Sequence, residues 1–441
     1  MAATKQTSQS ISSPLKRQKL YYGWWIAISA AVLRFFSGGS FFYGFSVFFN
    51  PIRDTFNWNA AQTSVAFTLR SIETGIFSPI VGTLADKIAP RKLMLIGWTI
   101  IGLGFVLMSR ISSLWNFYAC FMFTALGVSL GTGLVMNTTV ANWFIKKRSR
   151  ALTITFIGPG ASGILAPLFA FSVGEIGWRQ SLLIMGIGLW LIGIPLSFVF
   201  RDRPAHYGYL PDGESQPGIH SSTSRQPTQP AVGFSAREAM KTRSFWMLSL
   251  SQLFQQMGTS AVTVHIVPYL ENVGVPTAIA AFSVTGMTIC SLIGRLGFGL
   301  WGDYTTKRYL MTLSIVLQVV GLLVFSMITP NTSWLLIVFL LTYGPGFGGP
   351  IPLWPAMQAD YFGTKHFGTI SGLLTLTTVI GSFASPILAG RIFDINGSYK
   401  LAWQLATLVT LPAIPLMLLA LPPGAPKNKN PKFEFSSSKP T

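Results

Sequence analysis

The chain of 441 residues is 50% hydrophobic and only 10% charged, whereas soluble domains carry about 25% charged residues, so an ordinary soluble fold is excluded for most of its length. Its apolar runs are continuous rather than alternating, which excludes a membrane barrel. The formal charge of +19 suits nucleic acid only if the basic residues form one patch; here they sit on loops between apolar runs, and no nucleic-acid partner is expected.

Residues 1–20 form a polar tail. Apolar runs of about 20 residues cross a bilayer as helices, and about twelve such runs follow. The first six centre on 28–49, 62–84, 93–109, 114–140, 151–173 and 181–200. Residues 201–243 hold Pro204, Pro211, Pro217, Pro227 and Pro230 among Ser, Gly and Gln, the composition of a linker. Its end carries Ser235-x-x-Glu238, the spacing of a capping box. Six more runs centre on 245–268, 278–301, 309–328, 334–357, 370–389 and 402–421, before a Lys/Pro tail at 423–441.

The pattern predicts an all-α membrane protein with two six-helix bundles, 21–200 and 244–422, joined by the linker 201–243. Most of the 32 Lys and Arg fall in the tails, the linker and the loops on the linker side. The positive-inside rule therefore places both termini in the cytoplasm of a multi-pass cell-membrane protein, with membrane lipid as its surroundings. The first run is too long for a signal peptide and lacks a small-residue cleavage site. Cys120 and Cys290 lie far apart in apolar runs and read as packing residues rather than a disulfide.

The ionisable residues inside the runs are few. Arg295 is the only charged residue in 278–301. A guanidinium at mid-membrane costs at least about 2.5 kcal/mol and normally faces a water-filled cavity or a partner; its planar fork matches a carboxylate. Arg34 lies deep in the first run. Arg70 and Glu73 are i, i+3 on the second run and can neutralise each other, with Arg34 expected to join Glu73; the alternative has Arg34 facing a central cavity as a second cation. His265 on the seventh run is a site for proton coupling or a hydrogen-bonded core histidine. Glu73 and Arg70 are the other coupling candidates. Gly158-Pro-Gly160 with Gly163 and Pro167, and the segment 344–350, mark kinks for gating or close packing.

The halves echo each other. Gly82-Thr-Leu-Ala-Asp86 closes the second run, and Gly299-Leu-Trp-Gly-Asp303 closes the eighth. With Lys87, Pro90, Arg91 and Lys92, the first copy resembles the loop motif of the major facilitator superfamily, and Asp303 sits in the weaker second copy. Asp86, Arg91 and Asp303 are therefore expected in a breakable latch on the cytoplasmic side. Tyr22-Gly-Trp-Trp25, Phe45-Ser-Val-Phe-Phe-Asn-Pro-Ile52, Asn142-Trp-Phe144, Arg148-Ser-Arg-Ala-Leu152 and Arg295-Leu-Gly-Phe-Gly-Leu300 narrow the resemblance to the monocarboxylate transporters and oxalate:formate antiporters. The resemblance implies the major facilitator fold, Arg295 as the substrate arginine, and Tyr43, Phe339 and Tyr343 as aromatics against the substrate. The chain departs from the pattern at Thr378, where the oxalate antiporters carry a second cation, and at Ser291, where proton-coupled members carry an aspartate.

The expected function is secondary active transport of small organic anions, monocarboxylates first, by rocker-switch alternating access as proton symport or anion exchange. The alternative is a dicarboxylate antiporter; a proton-driven drug exporter or a non-transporting sensor stands further off. No enzyme, metal or cofactor is expected, and the chain reads as a monomer.

Overall fold

Hydrocarbon offers no partners to backbone N–H and C=O groups, so each apolar run must close its hydrogen bonds within itself as a helix. They do so in the computed structural model, which describes residues 21–58, 60–213 and 233–424; the side chains at 42–46, 50, 60–68, 70–72, 277–278 and 281 lie outside that description. The described helices assemble into twelve rods.

The first rod joins Tyr22–Ser37, a π-helical stretch Gly38–Gly44, and Phe45–Phe56. The second is Ala60–Lys87, the third Pro90–Met108, and the fourth pairs Leu114–Gly131 with Gly133–Trp143. The fifth and sixth form one unbroken helical run, Arg148–Ser197, that turns back at Gly177. There φ is +78°, a conformation that glycine adopts without a Cβ penalty. The seventh to ninth rods are Arg243–Asn272, Thr277–Trp301 and Lys307–Ser326; the tenth pairs Leu335–Gly348 with Pro350–Phe362. The eleventh is Phe367–Asn396, and the twelfth pairs Lys400–Thr410 with Ala413–Leu419. Among the described residues, 8 helical segments are long and apolar enough to cross a membrane, and one of them is the double rod.

The buried apolar side chains gather in each half. Trp98, Phe105, Phe117, Phe121 and Trp143 centre the first-half cluster. The second half holds one cluster around Phe245, Met311, Leu353 and Met357 and another around Tyr269, Phe325, Phe339 and Trp403. Buried indoles need an acceptor: Trp98 Nε1 donates to Gly131 O at 3.0 Å and Trp143 Nε1 to Arg201 O at 2.9 Å.

Between the halves the helices meet backbone to backbone, which small residues permit. A Cβ on Gly82 of the second rod would lie 2.0 Å from Gly368 O of the eleventh, and one on Gly299 of the eighth would lie 1.7 Å from Thr153 Oγ1 of the fifth. Both contacts lie toward the end that carries the linker, here called the linker face. The 344–350 segment does the same within the second half, since a Cβ on Gly348 would meet Ser291 O at 1.9 Å.

The linker is pinned at both described ends. Asp212 accepts backbone N–H bonds from Ile145, Lys146 and Lys147 at 2.8–3.0 Å, and Phe234 N–H donates to Phe362 O at 2.9 Å. The Ser235–Glu238 capping box forms as its spacing predicts and starts the short helix Ala236–Met240.

Substituting Gly82 by Val is expected to destabilise the protein by about 1–3 kcal/mol through overpacking, lowering Tm in detergent. Gly188→Ala in the sixth rod, where no atom lies within 4 Å of the added Cβ, is expected to leave Tm unchanged or slightly raised.

Candidate substrate site and the contacts that close it

The fourth rod breaks inside the membrane. Thr132 takes φ −137°, ψ −129°, and Gly133 takes φ +25°, so carbonyls around the break lose their helical donors. Trp98 Nε1 takes Gly131 O, at the end of the first segment, and Arg34 Nη2 donates to Gly133 O, at the start of the second, at 3.0 Å. The same Nη2 donates to Asn137 Oδ1 at 2.7 Å. The face of the Arg34 guanidinium lies 4.2 Å from the centre of the Phe156 ring, a cation–π geometry. Arg34 does not ion-pair with Glu73, contrary to the expectation from the sequence. The helix break offers a carbonyl and an amide closer at hand, and all three partners of Arg34 are neutral. Its Nη1 is buried with no hydrogen-bond partner.

Arg295 reaches the same residue from the other half. Its Nη1 donates to Phe156 O at 3.2 Å across the fifth and eighth rods. Gly160, one turn further, makes room: a Cβ there would lie 3.0 Å from Arg295 Nη1. Arg34 is 5% exposed, while Arg295 is half-buried. Phe156 thus touches one guanidinium with its ring and the other with its carbonyl, and so joins the intramembrane cations of the first and eighth rods.

Glu73 lines a cavity of about 330 Å³ between the second, fourth and eleventh rods, whose wall also holds Arg34's partners Gly133 and Asn137. It accepts from Ser129 Oγ at 3.2 Å. Arg70 and Tyr43 fall among the side chains outside the description, though the backbone places Tyr43 in the π-helical stretch. That stretch exists where Gly38 and Gly39 press on the fifth rod: added Cβ atoms would lie 2.9 Å from Ser162 Oγ and 2.4 Å from Leu165 Cδ1.

Phe339 and Tyr343 are buried in the second-half core, stacked on each other with centroids 5.0 Å apart; Phe339 also stacks on Phe325 at 4.3 Å. His265 uses both ring nitrogens, Nε2 donating to Pro386 O at 2.9 Å and Nδ1 3.2 Å from the Tyr399 hydroxyl. A carbonyl can only accept, so Nε2 carries a proton, while Nδ1 shares a hydrogen bond with the Tyr399 hydroxyl. Thr378 bonds back to its own helix at Leu374 O.

At the linker face each half caps a helix of the other. Asp86 Oδ1 accepts from Gly368 N–H at 2.8 Å, and its Oδ2 accepts from Thr369 N–H at 2.8 Å and Thr369 Oγ1 at 2.7 Å. These groups open the eleventh rod, where unsatisfied N–H donors and the helix dipole favour an anion. Asp303 repeats the arrangement on the fifth rod, accepting from Ser149 N–H at 2.8 Å and Arg150 N–H at 3.3 Å, with Arg150 Nε 3.2 Å away. Burial pushes both carboxyls above their ordinary range, and the helix N–H donors pull them back. Arg91 takes no part in the latch; its guanidinium stacks on Phe198 at 4.3 Å. A third bridge was not anticipated: Asp360 of the tenth rod pairs with Arg148 of the fifth, and with Lys307 at 2.7 Å. Nor were Asn137 and Phe156.

The sequence profile described as Major Facilitator Superfamily matches residues 30–297 and again 248–441. The chain belongs to the major facilitator superfamily. It is a multi-pass membrane transporter. Among its curated relatives, monocarboxylate transporter 12 of Mus musculus is 25% identical over 431 residues, covering 91% of this chain and 85% of that protein. The oxalate:formate antiporter of Oxalobacter formigenes is 24% identical over 416 residues, covering 93% and 94%. The fold is that of the E. coli fucose:proton symporter, with TM-score 0.67 at 12% identity over 90% of this chain and 98% of that one. A bacterial homologue of the iron transporter ferroportin, in an outward-facing state, superposes with TM-score 0.68 at 13% identity over 91% and 99%.

In this transporter Asp86→Asn is expected to change the translocation rate several-fold while leaving substrate affinity within about twofold, because it acts at a helix end far from Arg295. Counterflow rates and equilibrium binding on the same preparation check the split.

Proposed function

We propose that this transporter carries small organic anions with a carboxylate head, monocarboxylates in the first place, with Arg295 as the binding cation. The observation that carries the reading is the position of Arg295: a guanidinium on an otherwise uncharged rod, reaching across to Phe156 at the seam between the halves. Alternating-access carriers bind substrate at mid-membrane between their repeats. A substrate carboxylate would replace the weak backbone acceptor with a bidentate, charge-assisted pair, about twice as strong as a neutral hydrogen bond. The relatives named for monocarboxylates and for oxalate and formate support the same class. The closed linker face, with both termini read as cytoplasmic, matches a carrier poised to load from the opposite side.

A monocarboxylate is preferred because Arg34 is nearly inaccessible beneath Phe156, while Arg295 is half-buried. One observation favours a short dicarboxylate instead. The partners of Arg34 are neutral and leave its charge uncompensated, so a second carboxylate reaching under Phe156 would find a cation.

Uptake of labelled lactate, pyruvate, oxalate and malonate into proteoliposomes, with and without a pH gradient, tests the substrate and the driving ion. Arg295→Lys is expected to lose most transport, since an ammonium cannot reproduce the fork, and Arg295→Ala to weaken binding by about tenfold or more. Near-normal affinity in Arg295→Ala would sink the anion site. Arg34→Gln is expected to leave monocarboxylate affinity within a few-fold. Tighter wild-type binding of oxalate than of lactate, lost in Arg34→Gln, would replace the monocarboxylate reading by the dicarboxylate one.

A further inference from the structure

Beside the Asp86 latch, at the linker face, lies a second cavity of about 330 Å³ that the substrate site does not use. Its wall crosses both halves. Lys87 comes from the end of the second rod, Arg203 and His206 from the start of the linker, and Lys365 from the turn before the eleventh rod. Both acids in the wall are already engaged: Asp86 by the N–H groups of Gly368 and Thr369, and Asp202 by His206 Nδ1 at 3.0 Å. The cations are not. Among the described residues, the side chains of Lys87, Arg203 and Lys365 make no ion pair, hydrogen bond or ring contact. The contrast lies close by, where Asp360 holds Arg148 and Lys307 together.

Three cations around one concavity, none of them ion-paired, outnumber the two wall carboxylates and leave a positive balance that concentrates anions there. An Arg fork and two Lys point charges suit phosphate oxygens, and the volume lies at the small end of ligand pockets. We propose that this cavity is a regulatory site for a phosphate-bearing anion, and that occupancy holds the linker face shut. The reason is geometric. Lys87 and Arg203 ride on the first half and Lys365 on the second, so opening the linker face separates them and the anion loses one of its three cations. A ligand that binds the shut form better shifts the population toward it. Occupancy would slow turnover without touching Arg295.

The test uses the purified full-length protein in phosphatidylcholine nanodiscs, with no transport substrate, titrated with inorganic pyrophosphate at constant ionic strength in chloride. We expect a saturable rise in Tm and slower amide exchange over residues 364–370. Arg203→Gln and Lys365→Gln should each weaken the apparent Kd by about tenfold, the loss expected for one charged hydrogen-bond partner. Lys87→Gln, at an exposed position, should do the same and stands in if either variant misfolds. A second arm uses nanodiscs containing phosphatidic acid and no pyrophosphate. Protection in that arm alone, lost in the same variants, supports the site and identifies its occupant as a lipid headgroup. Protection in neither arm, or equal protection in wild type and variants, overturns the proposal. Arg295→Ala should respond like wild type, so the outcome stands apart from that of the carboxylate assay.

Discussion

A guanidinium in a low-dielectric interior must be solvated by something other than water, and in this protein the fifth rod supplies much of that solvation. Phe156 offers its ring to Arg34 and its carbonyl to Arg295. Gly158 and Gly160 let the neighbouring rods come close enough for both contacts: a Cβ on Gly158 would overlap Ala31 O at 2.0 Å, and one on Gly160 would crowd Arg295. The fourth rod contributes beside its break at Thr132–Gly133, where Gly133 O and Asn137 Oδ1 accept from Arg34. Irregular backbone at membrane depth is tolerated where protein groups take up the freed donors and acceptors, and Trp98 does so here.

The same economy operates at the linker face. Asp86 and Asp303 are part-buried carboxylates, each placed at the N-terminus of a helix in the opposite half. Each helix has donors without intrahelical partners, and each carboxylate needs donors once it leaves water. The contact is therefore strong while closed and leaves groups that water can satisfy when open, which is what a reversible latch requires. The glycines at 82, 299 and 302 set the spacing, because the latch carboxylates reach across only if the backbones approach closely. Arg295 within the eighth rod and Asp303 just past its end both bond to the fifth.

How far these arrangements could be read from the chain differs residue by residue. Arg295, Asp86 and Asp303 were legible because an isolated charge in an apolar run, or at the end of one, has few roles open to it. Arg34 was legible as a residue of consequence but not in its partners. Pairing with Glu73 followed from charge alone, and the preference for Gly133 and Asn137 depends on a helix break that sequence spacing does not reveal. Phe339 and Tyr343 sit at helical spacing on one face of the tenth rod, but which neighbour that face meets depends on the packing of the ninth and twelfth. Asp360 escaped notice because its cations are more than 50 and 200 residues away in the chain.

The sequence by itself determined the class of this protein: composition demands a membrane, continuous apolar runs demand helices, and the duplicated Gly-x-x-x-Asp ends announce two halves. These follow from local composition and period, which a linear chain carries openly. Tertiary structure decided who satisfies whom: Arg34 on the broken fourth rod, Arg295 on Phe156, each latch aspartate on the other half's helix, and three cations outside any ion pair around one cavity. Those choices are made between residues far apart in the chain. They rest on helix packing at distances below one side chain, which glycine positions permit but do not by themselves specify.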